Sequence, residues 1–470
     1  MQTYPIYAAG EFITTTHALE VRNPHDGNMI ARTWQADSKV LDKCILAAQS
    51  VQVEMREMPA WKRFSILSKI SFVITENRHH LATVLCRESG KPMRYALGEI
   101  DRAAQTFLVA AEEAKRLPKE YISLDWTPAG ERKEGLVKYF PIGIVSGIAP
   151  FNFPMNLAVH KIAPAIAAGC PIILKPASST PLSTLELARI IDQTELPKGA
   201  LSVLPMDRVA GNQLVTDERF ALLSFTGSPE VGWEMKKNAG KKKVVLELGG
   251  NAGVIVARTA DSETALKKCL AGGFAYSGQI CIHAQRLFVH SSVFSTFTQR
   301  FAEMTKALKN GNPEDNSTDV GVMIDEENAK RVEEWVDQAV KAGATILCGG
   351  KRDRSFYHPT LLTNTSPKMK VCSEEIFGPV VTVEPFDDFR EAIALINDTR
   401  FGLQAGVFTN DMSEVDLAFN EIQTGGVIIN DVPTFRVDHM PYGGIKDSGS
   451  GREGVKYAIH DMLEARILVK

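Results

Sequence analysis

Between about residue 142 and residue 250, short and wholly apolar runs alternate with stretches of helical periodicity, and this alternation constrains the fold more than any other feature. Ile142–Ile148 leads to a helical pattern over Asn156–Ala168, and Pro171–Lys175 leads to one over Thr184–Gln193. Leu201–Leu204 leads to Asn212–Asp217, Ala221–Phe225 to Glu230–Asn238, and Lys243–Leu248 runs into a glycine pair. A strand that is apolar at every position has no face left for water. Such runs, spaced by amphipathic helices, predict a parallel sheet covered on both faces, an α/β architecture. A second series begins near Gly253 and includes Arg286–His290, Thr345–Cys348 and Gly426–Asn430. Helical patterns dominate before about Lys115, as in Trp61–Glu76 and Gly98–Lys115, after an extended start. Tyr121–Tyr139 alternates and is more polar. It predicts an antiparallel hairpin that the C-terminal run Ala465–Val469 joins, an element suited to pairing with another subunit.

A chain of 470 residues predicts two or three domains. The formal net charge of −3 provides no basic footprint, so nucleic acid is not the expected partner. The seven cysteines (44, 86, 170, 269, 281, 348 and 372) form no CxxC pair. Their odd number and scatter predict free thiols in a reducing compartment, hence the cytoplasm, and no metal cage. The N-terminus lacks a basic start followed by an apolar run, so no signal peptide is expected. Tyr139 to Val159 carries no charge, yet Pro141, Gly143, Gly147, Pro150 and Pro154 interrupt it, which predicts a buried strand and tight loop instead of a membrane span.

Several residues stand where chemistry is favoured. Cys281 follows Gly278, whose backbone freedom suits a nucleophile on a tight turn. Read alone, a cysteine is more often a small buried hydrophobe, and the other six take that reading. Glu247 closes an apolar strand before Gly249 and Gly250, where burial would raise its pKa toward that of a general base; the bland alternative is a strand-end glutamate in solvent. Asn152 sits between Pro150 and Pro154, a rigid amide able to donate to an oxyanion, or simply a turn residue. Phe225-Thr-Gly-Ser228 joins an apolar strand to a helix carrying Val231, a layout suited to a pyrophosphate although it is not GxGxxG. Lys175 ends its strand at the carboxyl edge where open α/β sheets bind ligands.

Together these segments resemble the aldehyde dehydrogenase superfamily. The resemblance runs from Asn23-Pro24 and Glu88-Ser-Gly-Lys91 through Pro150–Pro154, Phe225–Ser228, Glu247–Gly250, Gly278–Cys281 and Glu374–Val380 to Pro441-Tyr-Gly-Gly444 and Ser448–Glu453. Among its members are those acting on lactaldehyde, on glyceraldehyde-3-phosphate without phosphorylation, and on phosphonoacetaldehyde. It implies the aldehyde dehydrogenase fold: a Rossmann-like cofactor domain (1–119 and 142–250), an α/β catalytic domain (251–447) and a small β oligomerisation element (120–141 and 448–470). It also implies a homodimer or homotetramer. Cys281 would attack the aldehyde, Asn152 and the Cys281 N–H would hold the thiohemiacetal oxygen, and Glu247 would activate the water that hydrolyses the thioester. Lys175 and Glu375 would hold the two riboses, Phe377 would bracket the nicotinamide, and Ser228 would meet the pyrophosphate. Ile148, Ala149, Pro150, Phe151, Ser178, Gly211, Phe225, Gly227, Val231, Leu248 and Gly249 complete the implied coenzyme site. Phe151 departs from the tryptophan of many relatives.

The coenzyme implied is NADP or NAD. NAD-specific members commonly carry a glutamate at the position of Ser178, where a carboxylate would repel a 2′-phosphate, so Ser178 permits NADP. Glu247 favours hydrolysis to the free acid; the alternatives are a coenzyme A-acylating enzyme and a catalytically silent protein on the same fold. Arg436, Arg102 and Phe153 are the candidate substrate residues, with Arg436 a clamp for an anionic group. The competing reading pairs Arg436 with Asp431 or Asp438, or with a neighbouring subunit. His283 has no expected catalytic role.

Overall fold

The computed structural model describes residues 2–470. The first apolar series builds an eight-stranded sheet. Its order is Gly449–Ser450, Lys243–Glu247, Phe220–Thr226, Ile144–Ile148, Ile172–Lys175, Leu201–Val203, Ile6–Ala8 and Glu11–Ile13. The five strands from Lys243–Glu247 to Leu201–Val203 are parallel, and antiparallel strands close both edges.

Period-two alternation explains why these strands are apolar throughout. Val145, Ile172, Leu174 and Leu222 face one core with the helices Ala60–Glu76, Met93–Ala114 and Asn156–Ala168. Ile144, Ile148, Ile173, Leu223 and Phe225 face the opposite core, against the helices Ser38–Ser50 and Arg208–Thr216. Each such side chain removed from water contributes about 1.5–3 kcal/mol before entropy is charged against it. The uncharged stretch from Tyr139 therefore becomes a buried strand, a loop and a buried helix. Among the described residues no helix is long and apolar enough to cross a membrane.

A seven-stranded sheet spans the second half, in the order Thr345–Cys348, Thr360–Thr363, Val380–Phe386, Arg286–His290, Gly253–Val256, Gln404–Phe408 and Gly426–Ile429. All neighbours are parallel except the first pair. The segment from Cys348 to Thr360 is too short for a helical crossover, so that edge strand must run antiparallel. The hairpin Lys119–Ser123 and Glu134–Pro141 forms a third, antiparallel sheet with Leu463–Val469. Trp126, Tyr121 and Leu468 are exposed on this element.

Two helices begin four or five residues earlier than the sequence pattern predicts, Arg208–Thr216 before Asn212 and Met93–Ala114 before Gly98. Gly98 reads as a helix start, yet the helix spans Met93–Ala114 and buries Ala96 on the same face as Ile100 and Ala103. Tertiary burial there outweighs the cost of an interior glycine, about 1 kcal/mol.

Candidate active site

Strand order places the site. From Ile144–Ile148 the chain adds Ile172–Lys175 and Leu201–Val203 on one side, then crosses back to add Phe220–Thr226 and Lys243–Glu247 on the other. The order reverses between Ile144–Ile148 and Phe220–Thr226, and crevices beyond the carboxyl ends of such strands bind ligands. The loops after these strands carry Ala149–Phe153 and Gly227–Ser228, and Leu248–Gly249 follows the neighbouring strand.

A cavity of about 710 Å³ opens here. Pro150, Phe151, Asn152, Gly227, Ser228, Glu247, Leu248, Gly249, Cys281, Glu375 and Phe377, all singled out in the sequence, line it. A Cβ at Gly227 would run into the Phe225 ring, and one at Gly249 into the Glu375 carboxylate. Neither position has room for a side chain, and both glycines line the cavity with bare backbone, as close approach of a dinucleotide requires. The helix Pro229–Asn238 starts directly after Ser228 without a side-chain cap, leaving first-turn N–H groups for an anion. Phe151 meets Phe377 edge-on at 5.9 Å. Phe377 holds φ of 42°, a strained value for a bulky residue. Glu375 accepts from Gly250 N at 3.1 Å, and burial lifts its carboxyl to about 8.

Other expected coenzyme residues lie outside the cavity lining. Ala149 N donates to Lys175 O, which keeps the ends of Ile144–Ile148 and Ile172–Lys175 together. A Cβ at Gly211 would stand 3.1 Å from Lys175 Cε, so this glycine leaves room for the lysine stem. The Ser178 hydroxyl lies 3.5 Å from Met206 O, and Val231 is exposed on its helix. Arg331, Trp335, Lys370 and Arg400 also line the cavity, and sequence reasoning missed all four. Their segments carry no local signal, because only folding brings them here.

Cys281 follows three consecutive left-handed residues, Tyr276, Ser277 and Gly278. A Cβ at Gly278 would collide with Gly378 O, so both the conformation and the packing require glycine. Buried polar bonds secure the turn: Tyr276 Oη donates to Ser89 O, Ser277 Oγ to Gly321 O, and Ile324 N to Gln279 Oε1. Cys281 is the one thiol of the seven that is not fully buried. Burial nevertheless pushes it up to about 12. The Tyr442 hydrogen bond and the Arg436 charge oppose that rise, while Glu375 and Glu247 add to it. The Tyr442 hydroxyl lies 3.1 Å from its sulfur.

Asn152 Nδ2 donates to Gln279 O at 3.0 Å, which fixes its amide beside the thiol loop with one hydrogen still uncommitted. The Asn152 carbonyl accepts from buried Lys91 at 2.7 Å, and Lys91 pairs with Glu99. Glu99 in turn accepts from the N–H groups of Met155 and Asn156. Both carboxylate oxygens of Glu247 are buried without a hydrogen-bonding partner. Burial, then repulsion by Glu453, raises its carboxyl well above the ordinary range, and Arg436 and Lys161 only partly oppose this. A buried polar group left unpaired costs about 1–3 kcal/mol, and more if charged, so the fold maintains this carboxyl against its own stability.

Arg436 and Arg102, the expected substrate residues, lie in an ion-pair network outside the cavity lining. Arg436 Nη2 pairs with Glu453 at 2.8 Å and lies 3.3 Å from His160 Nε2, and its guanidinium covers the Tyr442 ring at 3.7 Å. Its Nε is buried without a partner. Asp431 instead pairs with Lys268 at 2.6 Å, and Asp438 meets Arg102 at 2.6 Å and His160 at 2.8 Å. Arg436 thus pairs with neither aspartate that sequence proximity suggested. Phe153 lies under the Lys91 ammonium at 3.7 Å. His283 is buried with Nε2 2.8 Å from Gly273 O, and burial lowers it to about 4, so it stays neutral. Tyr442, Glu453, His160 and Lys161 were not singled out for a role. Tyr442 and Glu453 stood inside segments that carried the resemblance, which was the available signal.

The aldehyde dehydrogenase family profile matches residues 12–468. The 3-sulfolactaldehyde dehydrogenase of Priestia aryabhattai is 42% identical over 470 residues, covering 100% of this chain and 98% of the relative. The lactaldehyde dehydrogenase of Methanococcus aeolicus is 36% identical over 471 residues, covering 99% of each. Among solved structures, aldehyde dehydrogenase 21 from Physcomitrella patens, in complex with the reaction product succinate, superposes with a TM-score of 0.98 at 45% identity, covering 100% of this chain and 98% of that one. The glyceraldehyde-3-phosphate dehydrogenase of Methanocaldococcus jannaschii, complexed with NADP, superposes with a TM-score of 0.92 at 36% identity, covering 96% and 98%. With a family match over nearly its whole length, a reversing parallel sheet and a glycine-lined crevice that holds a thiol and an unpaired carboxyl, the chain belongs to the aldehyde dehydrogenase family of NAD(P)-dependent oxidoreductases.

Proposed function

We propose that this protein oxidises a short anionic aldehyde to the free acid, with Cys281 as nucleophile, Glu247 as general base and Asn152 as oxyanion donor. The observation that carries this reading is the single cavity lined by the thiol, the Asn152 amide and a Glu247 carboxyl with both oxygens uncommitted. Cys281 thiolate forms a bond to the carbonyl carbon, and the carbonyl electron pair moves to oxygen. The free hydrogen of the Asn152 amide and the Cys281 N–H hold that oxyanion. The coenzyme, when bound, accepts the hydride that converts the adduct to a thioester. Glu247 takes a proton from water, the hydroxide attacks the thioester, and the acid leaves as the thiolate re-forms. An unpaired base beside the thioester suits attack by water, and strict dependence of turnover on coenzyme A would exclude this reading.

Gly227, Ser228 and Gly249 would cradle the coenzyme pyrophosphate and ribose, with Glu375 and Phe377 at the nicotinamide end and Lys175 and Ser178 at the adenosine end. We assign residues 1–119 and 142–250 to the coenzyme domain, 251–447 to the catalytic domain, and 120–141 with 448–470 to assembly as a homodimer or homotetramer in the cytoplasm. A glutamate at position 178 tests the coenzyme reading. Ser178→Glu is expected to lower kcat/KM for NADP by about tenfold or more, because a carboxylate would face the 2′-phosphate, while NAD turnover persists. An unchanged NADP:NAD ratio would place the adenosine elsewhere.

The substrate class rests on Arg436, whose unpartnered Nε is a buried charged donor beside Tyr442. Relatives named for sulfolactaldehyde and lactaldehyde, and a neighbour holding succinate, agree with a small acidic or hydroxylated substrate. A screen of sulfonated, carboxylated, phosphorylated and neutral short aldehydes with both coenzymes tests it. Arg436→Lys keeps a cation for Glu453 but loses the fork. KM for anionic aldehydes is expected to rise about 10- to 100-fold with neutral ones little changed. Equal effects on both classes would remove Arg436 as a clamp.

A further inference from the structure

The Tyr442 hydroxyl is the hydrogen-bonding partner of the nucleophilic sulfur, at 3.1 Å, and nothing in the scheme above uses it. We propose that Tyr442 is a catalytic residue whose phenol donates a hydrogen bond to the Cys281 thiolate, keeping the sulfur ionised and aimed until it attacks the aldehyde. This rests on the reading of Cys281 as nucleophile.

Three features fix the phenol. Tyr442 is 3% exposed, so water does not compete for its hydroxyl. Its backbone is clamped by a reciprocal pair of bonds: Tyr442 N donates to Glu453 O at 3.0 Å, and Glu453 N to Tyr442 O at 2.6 Å. Its ring face is covered by the Arg436 guanidinium, held there by Glu453. A cation over the ring draws electron density from the phenol and makes the O–H a stronger donor. The next residue, Gly443, approaches Glu247 so closely that a Cβ would stand 2.8 Å from Oε1. One short bridge therefore registers the nucleophile and the base against each other.

The chemistry needs such a donor. Burial and the facing carboxylates Glu375 and Glu247 disfavour the thiolate, whereas Arg436 and the Tyr442 hydroxyl favour it. Ionisation releases the thiol proton to water, and Tyr442 keeps its own. When the sulfur electron pair forms the S–C bond, the carbonyl π pair moves to oxygen and the sulfur loses its charge. The phenol bond then weakens, so its stabilisation is spent on the nucleophile. Product acid leaves the thiolate behind, and the bond re-forms.

Tyr442→Phe keeps the ring, its packing and the contact with Arg436, and removes one oxygen. In the full-length enzyme, the rate of iodoacetamide alkylation at Cys281 is measured against pH, with the modified peptide identified by mass. The variant is expected to titrate about one unit higher and to react about tenfold more slowly near neutrality. kcat/KM is expected to fall about 10- to 100-fold for neutral and anionic aldehydes alike, with coenzyme affinity unchanged. Replacing Tyr442 by 3,5-difluorotyrosine, a more acidic phenol of similar shape, is expected to move the alkylation midpoint downward, which a packing role would not do. A superimposable alkylation profile, a faster reaction in the phenylalanine variant, or a loss confined to anionic aldehydes would each overturn the proposal while leaving Cys281 as nucleophile. Turnover that survives complete alkylation of Cys281 would overturn both readings.

Discussion

Alanine at position 281 is expected to reduce steady-state aldehyde oxidation by about 10⁴-fold or more, while coenzyme affinity stays within about twofold. The asymmetry follows from where the sulfur sits. Cys281 lies on the turn before Arg286–His290, whereas Gly227, Ser228 and Gly249 belong to the other sheet. Removing one sulfur leaves that crevice intact, and the strained turn is held by Tyr276, Ser277 and Gln279, not by the thiol. The loss of rate therefore reports chemistry and not unfolding. Coenzyme titration followed by fluorescence, beside absorbance of the reduced coenzyme, checks both halves. Substantial residual turnover would exclude the covalent route.

Glutamine at position 247 is expected to lower steady-state turnover by about 10³-fold or more and to leave a single burst of reduced coenzyme, because the amide blocks hydrolysis of the thioester but not its formation. The pH dependence has a definite sign. Burial and Glu453 raise the Glu247 carboxyl, so the base form is lost as pH falls through that raised value, above the ordinary range near about 4.3. Where deacylation limits the rate, kcat is expected to climb with pH along this limb, and the glutamine variant to lose the limb. Stability runs the other way. The unfolded chain releases this proton at lower pH than the folded one, so the native state binds more protons and loses stability as pH rises through the window. Melting temperature against pH is expected to flatten in Glu247→Gln. Stopped-flow absorbance and thermal melts at several pH values test the two signs separately, and a normal steady-state rate would remove Glu247 as base.

How much of this was legible in the sequence depended on distance along the chain. The strands and helices around the coenzyme crevice were readable because each is a local pattern of three to thirteen residues, from Leu201–Val203 to Asn156–Ala168. Pro150–Asn152, Ser228 and Glu247–Gly249 on the cavity wall were readable because they sit at, or directly after, the ends of those strands. The edge strand Thr345–Cys348 was located, but its direction was not, since direction depends on a crossover that the connection is too short to make. Arg436 was noticed while its partner was missed. Near neighbours Asp431 and Asp438 looked suitable, yet one is taken by Lys268 and the other by Arg102 and His160.

The order of residues by itself determined that a parallel sheet must form, where its strands end, and that a thiol, a carboxyl and an amide stand next to glycines and prolines. Those are consequences of backbone sterics and of hydrophobic period, both local. Only the tertiary structure decided that Tyr442 meets Cys281 across 161 residues, that Arg331, Lys370 and Arg400 wall the same cavity, and that Glu247 is left without a partner. The pKa of a buried group is set by whatever folding brings against it and by the water folding removes, and neither is recorded in the residues beside it.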